Sequence, residues 1–177
     1  MTIKAHVVAF NANEYCDRLG PLYPDVAFSY DLAKGTFSEV TYECEILISF
    51  GLILNAEIFR RNQNIRWVQA LGTGTDGIDN QPDLAPGAVL TSMRGIHTPQ
   101  MTEMAFLQML AFNRNLPKIL DNQRDHVWQR WPGKILEGKR VAILGLGLIA
   151  EALSERCKAF GMEVIGITGT PREADGF

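Results

Sequence analysis

The chain has 177 residues, 46% hydrophobic and 21% charged, which is the balance of an ordinary globular protein able to bury a core. Its formal net charge is −3 and no run of Lys and Arg interrupts that balance, which argues against a nucleic-acid partner. Cys16, Cys44 and Cys157 lie far apart and form no CxxC pair, so we expect reduced thiols, a cytoplasmic protein and no metal site. The longest apolar runs, residues 46–54 and 141–150, are too short to span a bilayer.

Short strands alternate with short helices in the first half of the chain. The patterns predict strands at residues 6–10, 26–30, 45–50, 65–71 and 88–91, and helices at residues 13–19 and 56–61. Gly20 and Pro21 end the first helix, and Asn55 is placed to cap the second. This alternation predicts an α/β fold that begins with a flavodoxin-like parallel-sheet domain, with helices on both faces of the sheet.

Two loops directly follow predicted strands. One contains Phe50 and Gly51, and the other is the Gly/Thr-rich stretch of residues 72–77. Ligands of parallel α/β sheets bind outside the carboxyl ends of the strands, so these loops are the predicted place for a small substrate. A plain turn is the alternative interpretation of residues 72–77.

A long apolar helix follows. Thr98 is placed to cap it and Pro99 suits its first helical position, while Asn115 and Pro117 end it. The helix is apolar nearly all round, which predicts burial on several sides and a role as a connector between two α/β segments. An ordinary core helix is the alternative. We expect residues 121–132 to form an irregular connection.

The most informative segment begins with the apolar run of residues 141–144, which is typical of a parallel strand buried on both faces. It leads into a G-x-G-x-x-A sequence, in which Gly145 permits a tight turn, Gly147 lets the backbone approach a pyrophosphate, and Ala150 lets a helix pack closely. A second strand returns over residues 162–167. The pattern predicts dinucleotide binding, and a plain Gly-rich turn is the alternative.

The first turn of the helix after this loop would hold the phosphates through free N–H groups near Leu148 and Ile149. Cofactor choice is decided at the end of the second strand, where an acid that binds the ribose 2′-hydroxyl would fall near Thr168. No carboxylate stands there to repel a 2′-phosphate, and Thr168, Thr170 and Arg172 are placed to contact one. The sequence therefore favours NADP, with NAD as the alternative. Arg172 has a second interpretation, a solvated loop residue.

These segments together resemble a known family. They are similar to the D-isomer-specific 2-hydroxyacid dehydrogenases, which include glyoxylate and hydroxypyruvate reductases. The resemblance is clear from about residue 46 to residue 177, and it is carried by residues 71–79, 95–103, 136–139, 145–150 and 158–166.

The resemblance implies a division of the chain and a homodimer. The division is a substrate-binding domain at residues 1–97, a connecting helix at residues 98–117, and the start of a Rossmann NAD(P)-binding domain at residues 118–177. Family members usually dimerise through the nucleotide domain and the connecting segment. The helix at residues 101–112, with Trp128 and Trp131, would serve that contact, and packing within the chain is the alternative.

The resemblance also assigns substrate-binding residues. Backbone N–H groups of Thr73 and Gly74 would hold the substrate carboxylate, since such a loop can form an anion-binding nest without a charged side chain. Phe50 and Gly51 match a second loop that lines the substrate pocket in the family. A simple core residue is the alternative for Phe50.

The catalytic residues of the family are an Arg, a Glu and a His that all come after the second Rossmann strand. None of His6, His97 and His126 matches them, so no catalytic residue is predicted and we expect a truncated N-terminal half. Two parallel strands in the Rossmann part would also leave open edges and bare apolar surface.

Two functions follow as hypotheses. The first is an NAD(P)-dependent oxidoreductase that interconverts a small 2-oxo acid, of the glyoxylate or hydroxypyruvate type, and its D-2-hydroxy acid. The second is a non-catalytic, truncated paralogue that acts as a nucleotide-binding or subunit-interaction module. Whether this chain alone is an enzyme stays open at this point.

Overall fold

The structure is a computed structural model that describes residues 2–33, 36–170 and 177. The chain divides into two compact units, an N-terminal unit of Met1–Arg94 and a C-terminal unit of Gly95–Phe177. Within the described residues, no helix is long and apolar enough to cross a membrane.

The N-terminal unit is built on a parallel sheet of five strands in the order β2-β1-β3-β4-β5. Its elements, in chain order, are β1 Ile3–Ala9, α1 Ala12–Leu19, β2 Val26–Leu32, β3 Ile46–Ser49, α2 Ala56–Arg61, β4 Trp67–Ala70 and β5 Val89–Ser92, with 3₁₀ turns at Glu39–Tyr42 and Gly51–Ile53. This strand order is that of flavodoxin. The predicted α/β fold with a flavodoxin-like parallel sheet is therefore confirmed.

The sheet is buried on both faces because its central strands are apolar at successive positions. Val7 faces a cluster that includes Ala12 of α1, whereas Val8 faces a cluster that includes Ile58 and Phe59 of α2. All five of these side chains are fully buried. Helices on both faces leave the carboxyl ends of the strands as the open end of the sheet, and the loops after β3 and β4 are neighbours there.

The C-terminal unit contains three helices and a two-stranded parallel sheet within its described residues. The elements are α3 Thr98–Arg114, α4 Leu116–Arg124, β6 Arg140–Leu144, α5 Leu148–Ala159 and β7 Glu163–Ile167. A small core forms around Leu136, Cys157 and Met162, and Phe106 and Met109 of α3 pack against it. This core fixes α5 and the two strands that flank it.

Two predictions about the connecting region are wrong. Thr98 is not the cap of α3, because His97 occupies that position and the buried Thr98 hydroxyl has no hydrogen-bond partner among the described residues. Residues 121–124, expected to be irregular, belong to α4. The physical reason is that Asn115 turns the chain in a left-handed conformation (φ 54°) and Pro117 then lies in the first turn of α4, where a missing N–H costs nothing.

The predicted burial of α3 and of the strand at residues 141–144 is also wrong within the described chain. On α3, Leu107 is 55% exposed and Phe112 is 84% exposed. At the end of β6, Leu144 is 84% exposed. An apolar pattern indicates which faces of an element avoid water, but it does not indicate what covers them. In a sheet of two strands, each strand is paired along one edge only and its other edge is left open.

Candidate functional site

The loops that follow β3 and β4 contact each other backbone to backbone. A Cβ at Gly77 would lie 2.7 Å from the carbonyl oxygen of Gly51, and a Cβ at Gly51 would fall on the carbonyl oxygen of Asp76. Gly77 also has φ +83°, which favours glycine. Both positions therefore require glycine, and the two loops are locked together at the open end of the sheet.

The Gly/Thr-rich loop presents unpaired donors at its tip. Thr73 and Gly74 are exposed, and neither backbone N–H donates a hydrogen bond to another described residue. Hydrogen bonds within residues 75–79 fix the shape of the loop. The Thr75 hydroxyl donates to the Asp79 carboxylate at 2.8 Å, and the N–H of Ile78 donates to the Thr75 carbonyl at 2.9 Å. Fixed, unpaired N–H groups of this kind are suited to binding an anion.

An acidic side chain stands close to these donors. A Cβ at Gly74 would lie 2.9 Å from the Asp76 carboxylate, so any larger residue at this position would crowd Asp76. Asp76 is exposed, and its negative charge would weaken the binding of an anion at the nearby Thr73 and Gly74 N–H groups. The loop therefore combines donors for an anion with a charge that weakens the binding.

Phe50 borders the same loop. Its side chain is 36% exposed, and the nearest side-chain atom to a Cβ built on Gly72 is a ring carbon of Phe50 at 4.0 Å. The structure therefore brings four predicted substrate residues, Phe50, Gly51, Thr73 and Gly74, to one place at the carboxyl ends of β3 and β4. Their role in binding a substrate stays a prediction.

The second site is the loop of residues 145–147 between β6 and α5. Gly145 has φ +87°, a conformation that L side chains rarely adopt, and its N–H donates to the Ile167 carbonyl at 2.8 Å. Gly147 is extended and precedes the first residue of α5. Ala150 is buried (7% exposed), as a small residue must be for the helix to pack closely against the strand.

The start of α5 is open to a ligand. Leu148 and Ile149 are partly exposed, and neither N–H donates a hydrogen bond to a described residue. A Cβ at Gly147 would meet no atom of a described residue within 4 Å, so no described side chain fills the space beside the backbone at this position. Free first-turn N–H groups and the positive end of the helix dipole attract phosphates.

The end of β7 lies beside this loop, because Leu144 and Ile167 pair in the parallel register of β6 and β7. Thr168 and Thr170 follow directly and are exposed, and residues 168–170 carry no acid. Arg172 lies outside the described residues. The structure therefore brings Thr168 to the strand end beside Gly145.

A buried polar network in the N-terminal unit was missed by sequence reasoning. The His6 ring lies 2.8 Å from the Ser29 hydroxyl, 3.0 Å from the Thr41 hydroxyl and 3.2 Å from the Asp31 carboxylate, and His6 is fully buried. Asp31 also accepts hydrogen bonds from Thr41 at 2.7 Å and from the N–H of Ser38 at 2.7 Å. A histidine inside an apolar strand was the only signal available in the sequence.

The pKa values of this network follow from its burial. Desolvation lowers the pKa of His6 more than its interactions with Asp31 raise it, which favours the neutral ring. For Asp31, desolvation raises the pKa, but the hydrogen bonds from Thr41 and Ser38 and the charge interaction with His6 together lower it. His6 is therefore a buried structural residue whose ring nitrogens already have partners.

The other titratable groups that the structure describes form no metal-binding cluster. Within the part of the chain that the structure describes, no group of three or more His, Cys, Asp or Glu could hold a metal ion. Burial raises the pKa of the Cys44 thiol to about 12, so it stays protonated at neutral pH. His97 stands at the start of α3 and His126 follows α4.

The C-terminal unit contains a parallel sheet, and its elements follow in the order strand, glycine-rich loop, helix and strand. This order defines an α/β protein of the dinucleotide-binding class. Residues 106–176 match the family model described as D-isomer specific 2-hydroxyacid dehydrogenase, NAD binding domain. This match, and the relatives and solved structures that follow, show that the chain is similar to the D-isomer specific 2-hydroxyacid dehydrogenases.

Two curated relatives show how far the similarity extends. The chain is 27% identical over 150 residues to the hydroxypyruvate reductase of Thermotoga maritima, which covers 83% of this chain and 49% of that protein. It is 26% identical over 145 residues to the D-3-phosphoglycerate dehydrogenase of Methanocaldococcus jannaschii, covering 80% of this chain and 28% of that protein. The chain thus matches about half of the first relative's length and less of the second's.

Two solved structures also match this chain over only part of their own length. A D-isomer specific 2-hydroxyacid dehydrogenase family protein from Aeromonas salmonicida matches with a TM-score of 0.88 at 25% identity, over 100% of this chain and 57% of that one. The D-lactate dehydrogenase from Aquifex aeolicus, solved with NAD and lactic acid, matches with a TM-score of 0.80 at 16% identity, over 95% and 52% of the two chains. The family to which the chain is similar is the one predicted from the sequence, and the NAD-binding domain named in the matching model supports the coarser prediction of a nicotinamide dinucleotide cofactor.

Proposed function

We propose that the protein acts in the NAD(P)-dependent interconversion of a small 2-oxo acid, of the glyoxylate or hydroxypyruvate type, and its D-2-hydroxy acid. The observation that carries the proposal is the geometry of residues 145–149, with a left-handed Gly145, an unobstructed Gly147 and two free N–H groups at the start of α5. The similarity to this family supports the oxidoreductase class. The relative named hydroxypyruvate reductase supports the choice of substrate.

The residues of the β6–α5 loop fit a dinucleotide. The N–H groups of Leu148 and Ile149 would bind the pyrophosphate, and the missing side chain of Gly147 leaves room for the phosphates to approach the backbone. A bound nicotinamide dinucleotide supplies or accepts a hydride at the substrate carbon. The chain itself contributes binding and orientation at this loop.

We propose NADP as the preferred dinucleotide, with NAD as the alternative. The exposed hydroxyls of Thr168 and Thr170, and the absence of an acid between them, support a 2′-phosphate at the end of β7. We expect Arg172 to contribute its charge there. The test is Thr168→Asp, which should weaken NADPH binding about tenfold relative to NADH, because a carboxylate would repel the 2′-phosphate. An unchanged ratio of the two affinities would remove this assignment.

The substrate carboxylate is proposed to bind at the N–H groups of Thr73 and Gly74, with Phe50 and Gly51 bordering the site. Support comes from the unpaired donors at the tip of a loop that the Gly51–Gly77 contact locks in place. No charged side chain is needed, since two backbone dipoles suffice to orient a small anion.

The substrate loop is tested by removing one N–H. Thr73→Pro deletes that donor, and we expect glyoxylate to bind about tenfold more weakly, as monitored by amide chemical shifts in a ¹⁵N-labelled chain. Thr73→Val is the matched control, because it changes the side chain but keeps the N–H. Equal weakening by both substitutions would show that the Thr73 side chain, and not its N–H, is what the acid requires.

We infer that none of the three histidines protonates the substrate carbonyl. His6 is buried and hydrogen-bonded within its own network. Neither His97 nor His126 is among the residues predicted to bind substrate. No histidine among the described residues is therefore assigned as the acid, which is also the observation that favours the second candidate, a non-catalytic nucleotide-binding or subunit-interaction module.

We further propose the domain division and the homodimer that the sequence suggested. The division assigns substrate binding to residues 1–97, a connection to residues 98–117 and dinucleotide binding to residues 118–177. Exposed apolar side chains on α3 and after α4, including Phe112 (84% exposed) and Trp128 (91% exposed), support a contact with a second copy. The three free cysteines support a reducing, cytoplasmic location.

Sedimentation velocity tests the dimer. We expect a species of twice the chain mass that the double substitution Phe112→Ser and Trp128→Ser converts to monomer. Leu52→Ser is the matched control, because Leu52 is 90% exposed but lies in the other unit. A wild-type chain that sediments as a monomer at high concentration would reject the homodimer.

A further inference from the structure

A cleft of about 600 Å³ in the C-terminal unit is used by neither proposed site. It lies at the carboxyl end of α5, whereas the proposed dinucleotide loop lies at the amino end of the same 12-residue helix. Three segments form its walls: the end of α3, residues 134–137, and the end of α5 with Gly161. The two sites are therefore about 18 Å apart along α5.

The walls of the cleft are tied together by the backbone. The N–H of Lys134 donates to the Asn113 carbonyl at 3.3 Å, which joins the connecting segment to α3. The N–H of Gly138 donates to the Gly161 carbonyl at 2.8 Å, which joins the same segment to the end of α5. Leu136 between them is buried (4% exposed). A ligand would thus meet a cleft that is already formed, and this lowers the cost of binding.

Each wall contributes one cation. Arg114 comes from α3, Lys134 from the connecting segment and Lys158 from α5, while Glu137 is the one acid in the lining. None of these four forms an ion pair with a described residue, whereas Arg140, elsewhere in this unit, pairs with Glu163 at 3.0 Å. The lining carries three positive charges and one negative charge in a chain whose net charge is −3.

Helix dipoles account for only part of this charge. Arg114 and Lys158 lie in the last turns of α3 and α5, where a cation offsets a partial negative charge of about one half at each helix end. The two ends together offset about one positive charge, so the cleft remains positive. Apolar surface is exposed beside the cations, at Leu110 (39%), Ile135 (55%) and Phe160 (47%).

We propose that this cleft binds a small organic anion that combines a phosphate or carboxylate head group with an apolar body. The three cations of the lining would hold the head group, and Leu110 and Phe160 would cover the apolar part. Glu137 disfavours a head group that fills the whole cleft, because its side chain lies over Gly161. The site is separate from the proposed reaction, so this inference does not depend on the proposed function.

The experiment is a titration of the ¹⁵N-labelled chain with 1-naphthyl phosphate, followed by amide chemical shifts. We expect the largest shifts in residues 110–114, 134–137 and 158–161. The triple substitution Arg114→Gln, Lys134→Gln and Lys158→Gln should weaken binding about tenfold, since each exposed charge contributes modestly. Arg130→Gln is the matched control, because it removes one charge outside the lining and should leave the affinity unchanged.

Two further ligands test the anionic head group and the apolar body separately. Inorganic phosphate and neutral 1-naphthol should each bind at least tenfold more weakly than 1-naphthyl phosphate, since each lacks one half of the recognised group. The inference is overturned by shifts confined to residues 145–151, which would locate the anion at the start of α5. Equal affinity in the triple variant would overturn it as well. If the triple variant does not fold, the chemical shift changes of the wild-type chain still show whether the anion binds in the cleft.

Discussion

Gly51 is the residue on which the shape of the proposed substrate site most directly depends. Its missing side chain allows the Asp76 carbonyl to contact the backbone after β3. Gly51→Ala should therefore destabilise the chain by about 1–3 kcal/mol, through forced separation of the two loops. Urea denaturation measures this difference.

A neighbouring glycine supplies the control for that prediction. Outside its two chain neighbours, a Cβ at Gly72 would come no closer than 3.8 Å to an atom of a described residue, and the φ of Gly72 is not in the left-handed region. Gly72→Ala should change the free energy of unfolding by less than about 0.5 kcal/mol. If Gly51→Ala is as harmless as Gly72→Ala, the loops after β3 and β4 are not locked together by their backbone contact.

His6 predicts a pH dependence of stability. Burial lowers the pKa of folded His6 below its ordinary value of 6.5, so the unfolded chain binds more protons in the window just below 6.5. The contribution of His6 to stability is thus fully present above pH 6.5 and is lost as the pH falls through the folded pKa. We expect the urea midpoint to decrease between pH 7 and pH 5.

Asp31 acts in the same direction at lower pH. Its folded pKa is lowered from 3.8, so its contribution is present above 3.8 and is lost as the pH falls through the folded value. Between pH 7 and pH 5, the expected decrease in stability therefore comes from His6 and not from Asp31. The protonation of the His6 ring can be followed by proton NMR. A His6 midpoint above 6.5 would mean that Asp31 stabilises the charged ring by more than burial destabilises it, the reverse of the expected balance.

At the scale of elements, we predict that a substitution at the start of α5 weakens dinucleotide binding without lowering the stability of the chain. Gly147 is extended, and a Cβ there would meet no atom of a described residue within 4 Å. Gly147→Val should leave the free energy of unfolding within about 1 kcal/mol of wild type. The same substitution should weaken NADPH binding at least tenfold, because the side chain would occupy the approach to the pyrophosphate.

Calorimetric titration with NADPH and urea denaturation together check this prediction. An affinity that survives Gly147→Val would mean that the dinucleotide does not approach the backbone at residue 147. A large loss of stability would show that the position is structural. Either result would remove the main support for the proposed cofactor site.

Elements with local signals were predictable from the sequence. The Asn55 cap of α2 is an example, since its side chain accepts from the N–H of Ile58 at 3.2 Å, as the residue type and position indicated. Pro117 was misinterpreted because a proline that ends one helix is equally suited to begin another. The cap of α3 was misplaced by one residue, because Thr98 and His97 are both polar and only the backbone geometry distinguishes them.

At the scale of the molecule, the sequence could not show which surfaces stay uncovered. Leu144 looked like the residue of a strand buried on both faces, yet it is 84% exposed in the described chain. The His6 network was equally hidden, because its partners Ser29 and Thr41 are brought together only by strand pairing and a 3₁₀ turn. Long-range contacts of this kind carry no periodic signal.

The catalytic state of the molecule gives a further prediction. The purified 177-residue chain should not oxidise NADPH in the presence of glyoxylate or hydroxypyruvate, because no histidine of the chain is assigned as the acid. Absorbance at the nicotinamide band, compared with a mock purification, measures this. Turnover above that background would show that a residue of this chain performs the proton transfer.

Binding of a nicotinamide dinucleotide by residues 145–149 is the property on which the proposed function depends most. The most direct test is a titration of the ¹⁵N-labelled wild-type chain with NADPH, observed by amide chemical shifts. We predict that the largest changes fall on Gly145, Gly147, Leu148 and Ile149, with further changes at Thr168. Saturating NADPH that leaves these five amides unshifted would contradict a dinucleotide site at the start of α5.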